Sequence, residues 1–193
     1  MLKREQPIVG KPAVAAGEEI RARRRELGMT LTDLAERSGL SVAFLSQIER
    51  NKASASIVSL INIGRALQVS ATTFIEIPAG ETHVRRGSDP QHIQMDSSVE
   101  YIQLGAGMKN QKMDAILMKI PPGHVFPVDQ REGEDFLYVL KGELYSELGD
   151  RKLTLAAGDS MHFNSRTPHT ASNRTDQEVL LLYVGTPSIF EQE

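Results

Sequence analysis

Two places in the chain carry the residues with most chemistry. In the second half, Asp129, Arg131 and Asp135 lie close together, and His169 follows further on. Two carboxylates and an imidazole are competent to hold a divalent metal. Arg131 opposes that use, because a guanidinium has a fixed positive charge and no acceptor, so it cannot ligate a cation and repels one nearby. If Arg131 and His169 point inward, the same set suits the carboxylate of a small effector, with Asp129 or Asp135 taking an amine or orienting Arg131. An amino acid or organic acid fits that pairing; a polyamine suits the acidic residues better and Arg131 worse. The plainer alternative is a surface loop in which Arg131, Glu132, Glu134 and Asp135 pair locally.

The second place is basic. The formal charge is -3, which would speak against nucleic acid if it were spread evenly, but it is not. Arg21, Arg23, Arg24, Arg25, Arg37, Arg50 and Lys52 stand against Glu26, Asp33, Glu36 and Glu49, while the second half is rich in Asp and Glu. A local basic surface attracts phosphates whatever the total charge. The competing reading is a solvated helix face. Cysteine is absent, which removes disulfides, thiolate metal sites and thiol nucleophiles. No apolar run approaches the roughly 20 residues of a membrane-spanning helix, and the N-terminus lacks a signal-peptide core. A cytoplasmic protein with no membrane partner is expected.

These residues must be positioned by two kinds of element. Met1 to Gly17 has Pro, Gly and small residues without a sustained period and reads as a flexible arm. From Glu18 to Ile75 the apolar residues fall at helical spacing, enough for five short helices. Thr30, Ser41 and Ser56 are candidate N-caps, and Gly28 and Gly39 can close the helices before them. A connector follows from about residue 77 to 98, in which the first strands begin. Beyond it, short strands are expected near Val99–Leu104, Asp114–Ile120, Asp135–Leu140, Glu143–Leu148, Arg151–Leu155, Ser160–Phe163, His169–Asn173 and Glu178–Val184. Short strands separated by turn signals indicate an antiparallel sandwich or closed barrel. The domains expected are therefore 18–76 and 99–193.

Within Thr30 to Arg50, Ala35 is small where two helices would cross, Gly39 permits a left-handed turn residue, and Leu34, Leu45 and Ile48 can share one core. Together with Gln47-Ile48-Glu49-Arg50 and Asn51-Lys52, this segment resembles the lambda and 434 repressor type of helix-turn-helix, the Xre family, over about Glu18 to Ile75. The resemblance implies that Arg24 pairs with Glu49 and is aimed at the DNA backbone. It also implies that Val42, Ala43, Ser46 and Gln47 face base edges, while Thr30, Ser41, Asn51 and Lys52 lie near phosphates. The chemistry agrees: Gln can bond adenine through two hydrogen bonds, Ser can address several bases, and Val or Ala can meet a thymine methyl.

Pro121-Pro-Gly-His with Gly123, Asp129, Arg131, Asp135 and Gly142, then Gly158, Asn164, Arg166, Pro168, His169 and Asn173, resemble the two motifs of the cupin barrel, the double-stranded β-helix, from about Thr82 to Val184. In that family the first motif supplies two His and a Glu as metal ligands and the second supplies one His. Here those positions hold Asp129, Arg131 and Asp135, and His169 alone keeps the ligand type. The usual metal site is expected to be lost, with no cofactor and no catalytic residue. His83, His92, His124 and His162 read as packing or surface residues, and Phe126, Phe136, Tyr138 and Phe163 as barrel core.

The fold expected is a multidomain α plus all-β chain, with an N-terminal five-helix repressor-like domain and a C-terminal cupin barrel. The function expected is a regulator, a repressor by resemblance, that binds a palindromic double-stranded DNA operator. A carboxylate-bearing effector held by Asp129, Arg131, Asp135 and His169 would modulate it, and the barrel would form a homodimer. The alternative is an enzyme, since hydroxypropylphosphonate epoxidases share this two-part architecture and hold iron through His, Glu and His.

Overall fold

The computed structural model describes residues 16–69, 73–75, 83–108, 111–188 and 190. The expected arm thus falls outside the described residues, apart from Ala16 and Gly17, which open the first helix. Four helices follow one another: α1 (Ala16–Glu26), α2 (Leu31–Ser38), α3 (Val42–Ile48) and α4 (Ile57–Ala66). The fifth expected helix lacks a counterpart among the described residues, since 70–72 and 76–82 are not among them and Thr73 and Phe74 form only a turn.

Local chemistry starts and stops these helices. Thr30 caps α2 in a reciprocal box: its Oγ1 accepts from Asp33 N at 3.1 Å, and Asp33 Oδ2 accepts from Thr30 N at 2.7 Å. Ser41 accepts from Phe44 N and Ser56 from Ser59 N, opening α3 and α4. Gly39 closes α2 at φ 70°, a left-handed conformation that glycine adopts without a Cβ penalty. The turn it makes lets Leu34, Leu45 and Ile48 meet Ile20 and Leu60 in a buried core.

Among the described residues the second half forms nine strands: β1 (Gln91–Ile93), β2 (Glu100–Gln103), β3 (Asp114–Ile120), β4 (Glu134–Lys141), β5 (Glu143–Leu148), β6 (Arg151–Ala156), β7 (Ser160–Asn164), β8 (His169–Ser172) and β9 (Val179–Thr186). All eight strands expected with bounds are present, and β1 falls in the 77–98 connector where the first strands are expected. A six-stranded sheet runs β1-β2-β3-β9-β4-β7, and a three-stranded sheet runs β6-β5-β8. Every pairing is antiparallel. This is a cupin-type barrel, with Ile116, Ile120, Val139, Leu144 and Leu181 inside.

Alternation fixes what points inward. On β4, Asp135, Leu137 and Val139 are buried, and on β9 so are Val179, Leu181 and Tyr183. A period of two therefore carries the Asp135 carboxylate and the Tyr183 hydroxyl to the interior along with their apolar neighbours. Gly133 precedes β4 at φ 109°, where a Cβ would lie 1.7 Å from the Thr186 carbonyl oxygen. Only glycine lets β4 start this close to the end of β9.

Candidate nucleic-acid interface and barrel cavity

The recognition surface is built on α3. Leu45 and Ile48 point into the core, which leaves Val42, Ala43 and Gln47 exposed on the opposite side, with Ser46 half-buried between the two faces. Thr30, Ser41, Asn51 and Lys52 are all exposed around this helix. The structure thus brings together the base-facing and phosphate-facing residues expected from the sequence. Asn51 adopts φ 53°, and its N–H donates to Ile48 O at 2.8 Å while Lys52 N donates to Gln47 O at 2.9 Å. That left-handed turn closes α3 and swings Lys52 to the surface beside it.

Arg24 behaves differently from the expectation that it faces DNA. Its Nε donates to Glu49 Oε1 at 2.6 Å, its Nη2 to Glu49 Oε2 at 2.8 Å, and its Nη1 to Met29 O at 2.7 Å. Both partners are buried, and the paired carboxylate raises the Arg24 pKa further. A guanidinium engaged on three sides and covered has little left for a phosphate. Arg24 therefore ties α1 to the end of α3 and fixes how the recognition helix is presented.

A groove beside this pair is lined by Glu18, Arg21, Arg25, Arg50, Asn51 and Lys52. Sequence reasoning counted Arg21, Arg25 and Arg50 in the basic run without naming them as contacts. Their i, i+4 spacing on α1 was the available signal for the first two, since it sets Arg21 and Arg25 on one face. The groove thus sets three arginines beside Asn51 and Lys52, with Glu18 and Glu49 among its lining.

In the barrel, Asp129 and His169 face each other across an antiparallel bridge, Asp129 N to His169 O at 2.8 Å and His169 N to Asp129 O at 3.0 Å. Their side chains, with Asp135, line a cavity of about 100 Å³ whose remaining wall is mostly apolar and includes Met118, Phe126 and Leu137. His169 Nδ1 lies 2.9 Å from Thr167 O. A carbonyl only accepts, so Nδ1 carries a proton. His169 Nε2 then faces Asp135 Oδ2 at 3.5 Å and Asp129 Oδ2 at 3.8 Å.

Arg131 does not line this cavity. Its Nη2 donates to Asp135 Oδ1 and to the Tyr183 hydroxyl, its Nη1 donates to Thr186 O at 3.1 Å, and its Nε sits 3.6 Å from Asp129 Oδ2. The sequence grouping of Asp129, Arg131, Asp135 and His169 is thus met in space, but Arg131 is the counter-ion of the two carboxylates and is not turned to the cavity. The local ion-pair alternative holds for Asp135 as partner, although inside the barrel; Glu132 pairs instead with Arg166 at the surface.

Tyr183 was not anticipated. Its hydroxyl donates to Asp135 Oδ1 at 2.8 Å, and burial together with the Asp135 carboxylate holds its pKa well above the ordinary phenol value, so it stays a donor. A lone hydroxyl at an inward position of an otherwise apolar strand was the signal for it.

The metal ions of cupins do not fit these residues. The guanidinium already bridges the carboxylates that would have to ligate, and among the described residues no group of three His, Cys, Asp or Glu converges on a common point. The remaining histidines behave as expected of packing and surface residues: His92 and His162 sit against Glu100 and Glu134, and His124 Nδ1 meets Ser98 Oγ at 3.0 Å. Among the described residues no helix is long and apolar enough to cross a membrane.

Comparison with known proteins agrees with both halves. A helix-turn-helix family model matches residues 20–74, and a cupin domain model matches residues 116–185. The HTH-type transcriptional regulator PuuR of Escherichia coli is 26% identical over 186 residues, spanning 92% of this chain and 97% of PuuR. SutR, an HTH-type transcriptional regulator from the same organism, is 42% identical over 59 residues, or 31% of this chain and 33% of SutR. The crystal structure of an HTH_3 family transcriptional regulator from Vibrio cholerae shares the fold, with a TM-score of 0.54 at 17% identity over 89% of this chain and 94% of that one. The chain thus carries a helix-turn-helix domain over residues 20–74 followed by a cupin domain over residues 116–185.

Proposed function

We propose that the protein reads a palindromic operator as a homodimer, with Val42, Ala43, Ser46 and Gln47 at base edges and Thr30, Ser41, Asn51 and Lys52 at phosphates. Arg21, Arg25 and Arg50 extend the phosphate surface. The observation that carries this reading is the exposed face of α3, with Val42, Ala43 and Gln47, held in place by the buried Arg24–Glu49 pair. Paired heads on half-sites about one DNA turn apart require a dimer, and barrel-to-barrel pairing through the cupin is the arrangement proposed.

The cupin binds a small effector that modulates operator binding. Asp129, Asp135 and His169 supply the polar end of the cavity, and Arg131 holds Asp135 in place. Asp129 is the carboxylate with the longest contacts, 3.4 Å to Asn62 Nδ2 and 3.6 Å to Arg131 Nε. With Arg131 turned away, an amine on an apolar body suits this end better than the bare carboxylate that the sequence suggested.

Selection of bound genomic fragments, followed by titration of the operator recovered, tests DNA recognition; no enrichment over random fragments would refute it. A melting-temperature screen against primary alkylamines, amino acids and aliphatic carboxylates tests the sensor. Stabilisation by amines, lost in Asp129→Asn, is expected. Stabilisation by carboxylates alone, lost in Arg131→Ala, would return Arg131 to the role read from the sequence.

A further inference from the structure

The barrel cavity is walled in part by the DNA-binding domain. Ser56, Ile57 and Val58, the N-cap and first residues of α4, line it alongside Phe126, Asp129 and Thr170. One turn further along the helix, Asn62 Nδ2 reaches Asp129 Oδ1 at 3.4 Å. The Tyr101 side chain also faces this wall; its hydroxyl is buried beside Ile57, and burial pushes its pKa up to about 12. Helix and barrel thus meet around the cavity.

Size makes this wall consequential. A cavity of about 100 Å³ is small beside the pockets that enclose ordinary small ligands, which run from roughly 300 Å³. A larger occupant that stays within these walls must move one of them. The walls given by β3, β4, β8 and β9 belong to hydrogen-bonded sheets. Among the described residues the α4 wall is held chiefly by apolar contact, with the long Asn62–Asp129 hydrogen bond at 3.4 Å, and no helix packs extensively on any strand. Interfaces of this kind between domains resemble transient ones and yield before a sheet does.

We propose that the first turn of α4 is the movable wall of the barrel, so that an occupant larger than the cavity undocks the helix-turn-helix domain from the cupin. The effector reading above says what that occupant is; the mechanical coupling itself can be tested without it. An occupant that reaches Asp129 also takes the partner of Asn62, so polar and apolar contacts of the wall are lost together. The ligand then shifts the heads by its differential affinity for the docked and undocked arrangements.

The test uses the full chain and a wedge in place of a ligand. Ala171 on β8 lines the cavity, and the chain contains no tryptophan, so Ala171→Trp both fills the space and reports on it by its own fluorescence. Blue-shifted emission, about tenfold or more faster deuterium uptake in an α4 peptide and a longer maximum dimension in small-angle scattering are expected. A buried tryptophan with α4 uptake and scattering unchanged overturns the proposal. Should red-shifted emission show that the barrel has not folded around the wedge, Val58→Asp with Asn62→Ala loosens the wall from the other side. It is expected to give the same uptake and expansion, and their absence overturns the proposal equally. The effector reading fails separately: then no amine, amino acid or carboxylate stabilises the protein although Ala171→Trp frees α4. An amine that stabilises the barrel while leaving α4 uptake unchanged sinks the coupling alone.

Discussion

Replacing Glu49 by Ala should unfold the reading head well before it alters any DNA contact. The Arg24 and Glu49 side chains are only 10% and 5% exposed, and the carboxylate takes two of the three hydrogen bonds that Arg24 donates. Removing Glu49 leaves a buried guanidinium with one acceptor, the Met29 carbonyl. Breaking one side of such a pair costs roughly 3–5 kcal/mol, because the remaining charge stays buried and uncompensated. For a small domain, in which each kcal/mol moves the midpoint by about 4–8 °C, this is a fall of more than about 12 °C. Thermal melts followed by far-ultraviolet circular dichroism would read it, since the helices carry that signal. Arg24→Met with Glu49→Leu removes both charges and should recover to within about 1–2 kcal/mol of the original. The same double variant should keep the salt dependence of operator binding, because the Arg24 guanidinium is buried and engaged by Glu49 and the Met29 carbonyl. Loss of less than about 1 kcal/mol in Glu49→Ala would place the pair among surface ion pairs and refute the reasoning. A salt slope reduced by about one in the double variant would restore Arg24 to the DNA interface.

Gln47→Ala should weaken operator binding by roughly 1–3 kcal/mol and relax the preference at one base pair with the salt slope unchanged, as measured by anisotropy titration on single-substitution operators. Lys52→Ala should instead lower affinity uniformly across sequences and reduce the salt slope by about one, and a base-specific effect would contradict its placement. Burial lowers the His124 pKa from its ordinary 6.5, so the unfolded chain takes up that proton first. Stability should then fall as pH drops through 6.5, and denaturant melts of His124→Gln should show a shallower decline. Gly133→Ala forces a Cβ onto the Thr186 carbonyl oxygen, an acceptor for Arg131; a loss of about 3 kcal/mol or more in barrel stability is expected, and a near-neutral change in a urea melt would refute the close approach.

Much of the fold was written in local pattern. Thr30, Ser41 and Ser56 all cap helices, because a short hydroxyl before an apolar run satisfies the first free N–H groups wherever the run folds. The strands follow period-two alternation closely, with Asp114–Ile120 and Glu143–Leu148 matching residue for residue. β1 lies in the connector where the first strands are expected, but its bounds were not legible because Gln91 and His92 give a three-residue strand no apolar signature; its position at the sheet edge beside β2 comes from backbone pairing. The recognition face was legible because helical period and cap position together determine which α3 residues are exposed. Arg24 was legible as a partner of Glu49 but not as a buried one, since burial depends on how α1 and α3 close over it.

The barrel site was less legible for a related reason. Residue types identified Asp129, Arg131, Asp135 and His169, yet what a charge does depends on which neighbour reaches it first. Tyr183 and the Thr186 carbonyl, contributed by β9 far along the chain, draw Arg131 onto Asp135 and away from the cavity. A guanidinium so placed bonds Asp135 directly and stands 3.6 Å from Asp129, which leaves Asp129 the more loosely held carboxylate that an occupant can claim. Asp129 is also the group that Asn62 touches. In a barrel organised by a metal ion, the ligating side chains would be committed to the metal whatever the heads did. Here the cation is part of the chain, and the uncommitted carboxylate lies at the boundary with the DNA-binding domain. Under the movable-wall proposal, reciprocity then requires that whatever releases the heads from the cupin also raises the barrel's affinity for its occupant. Val58→Asn with Asn62→Ala, which adds no charge to the cavity that Val58 lines, should therefore bind a stabilising amine more tightly than the unaltered chain, by calorimetric titration, and weaker binding would break the link between the two sites.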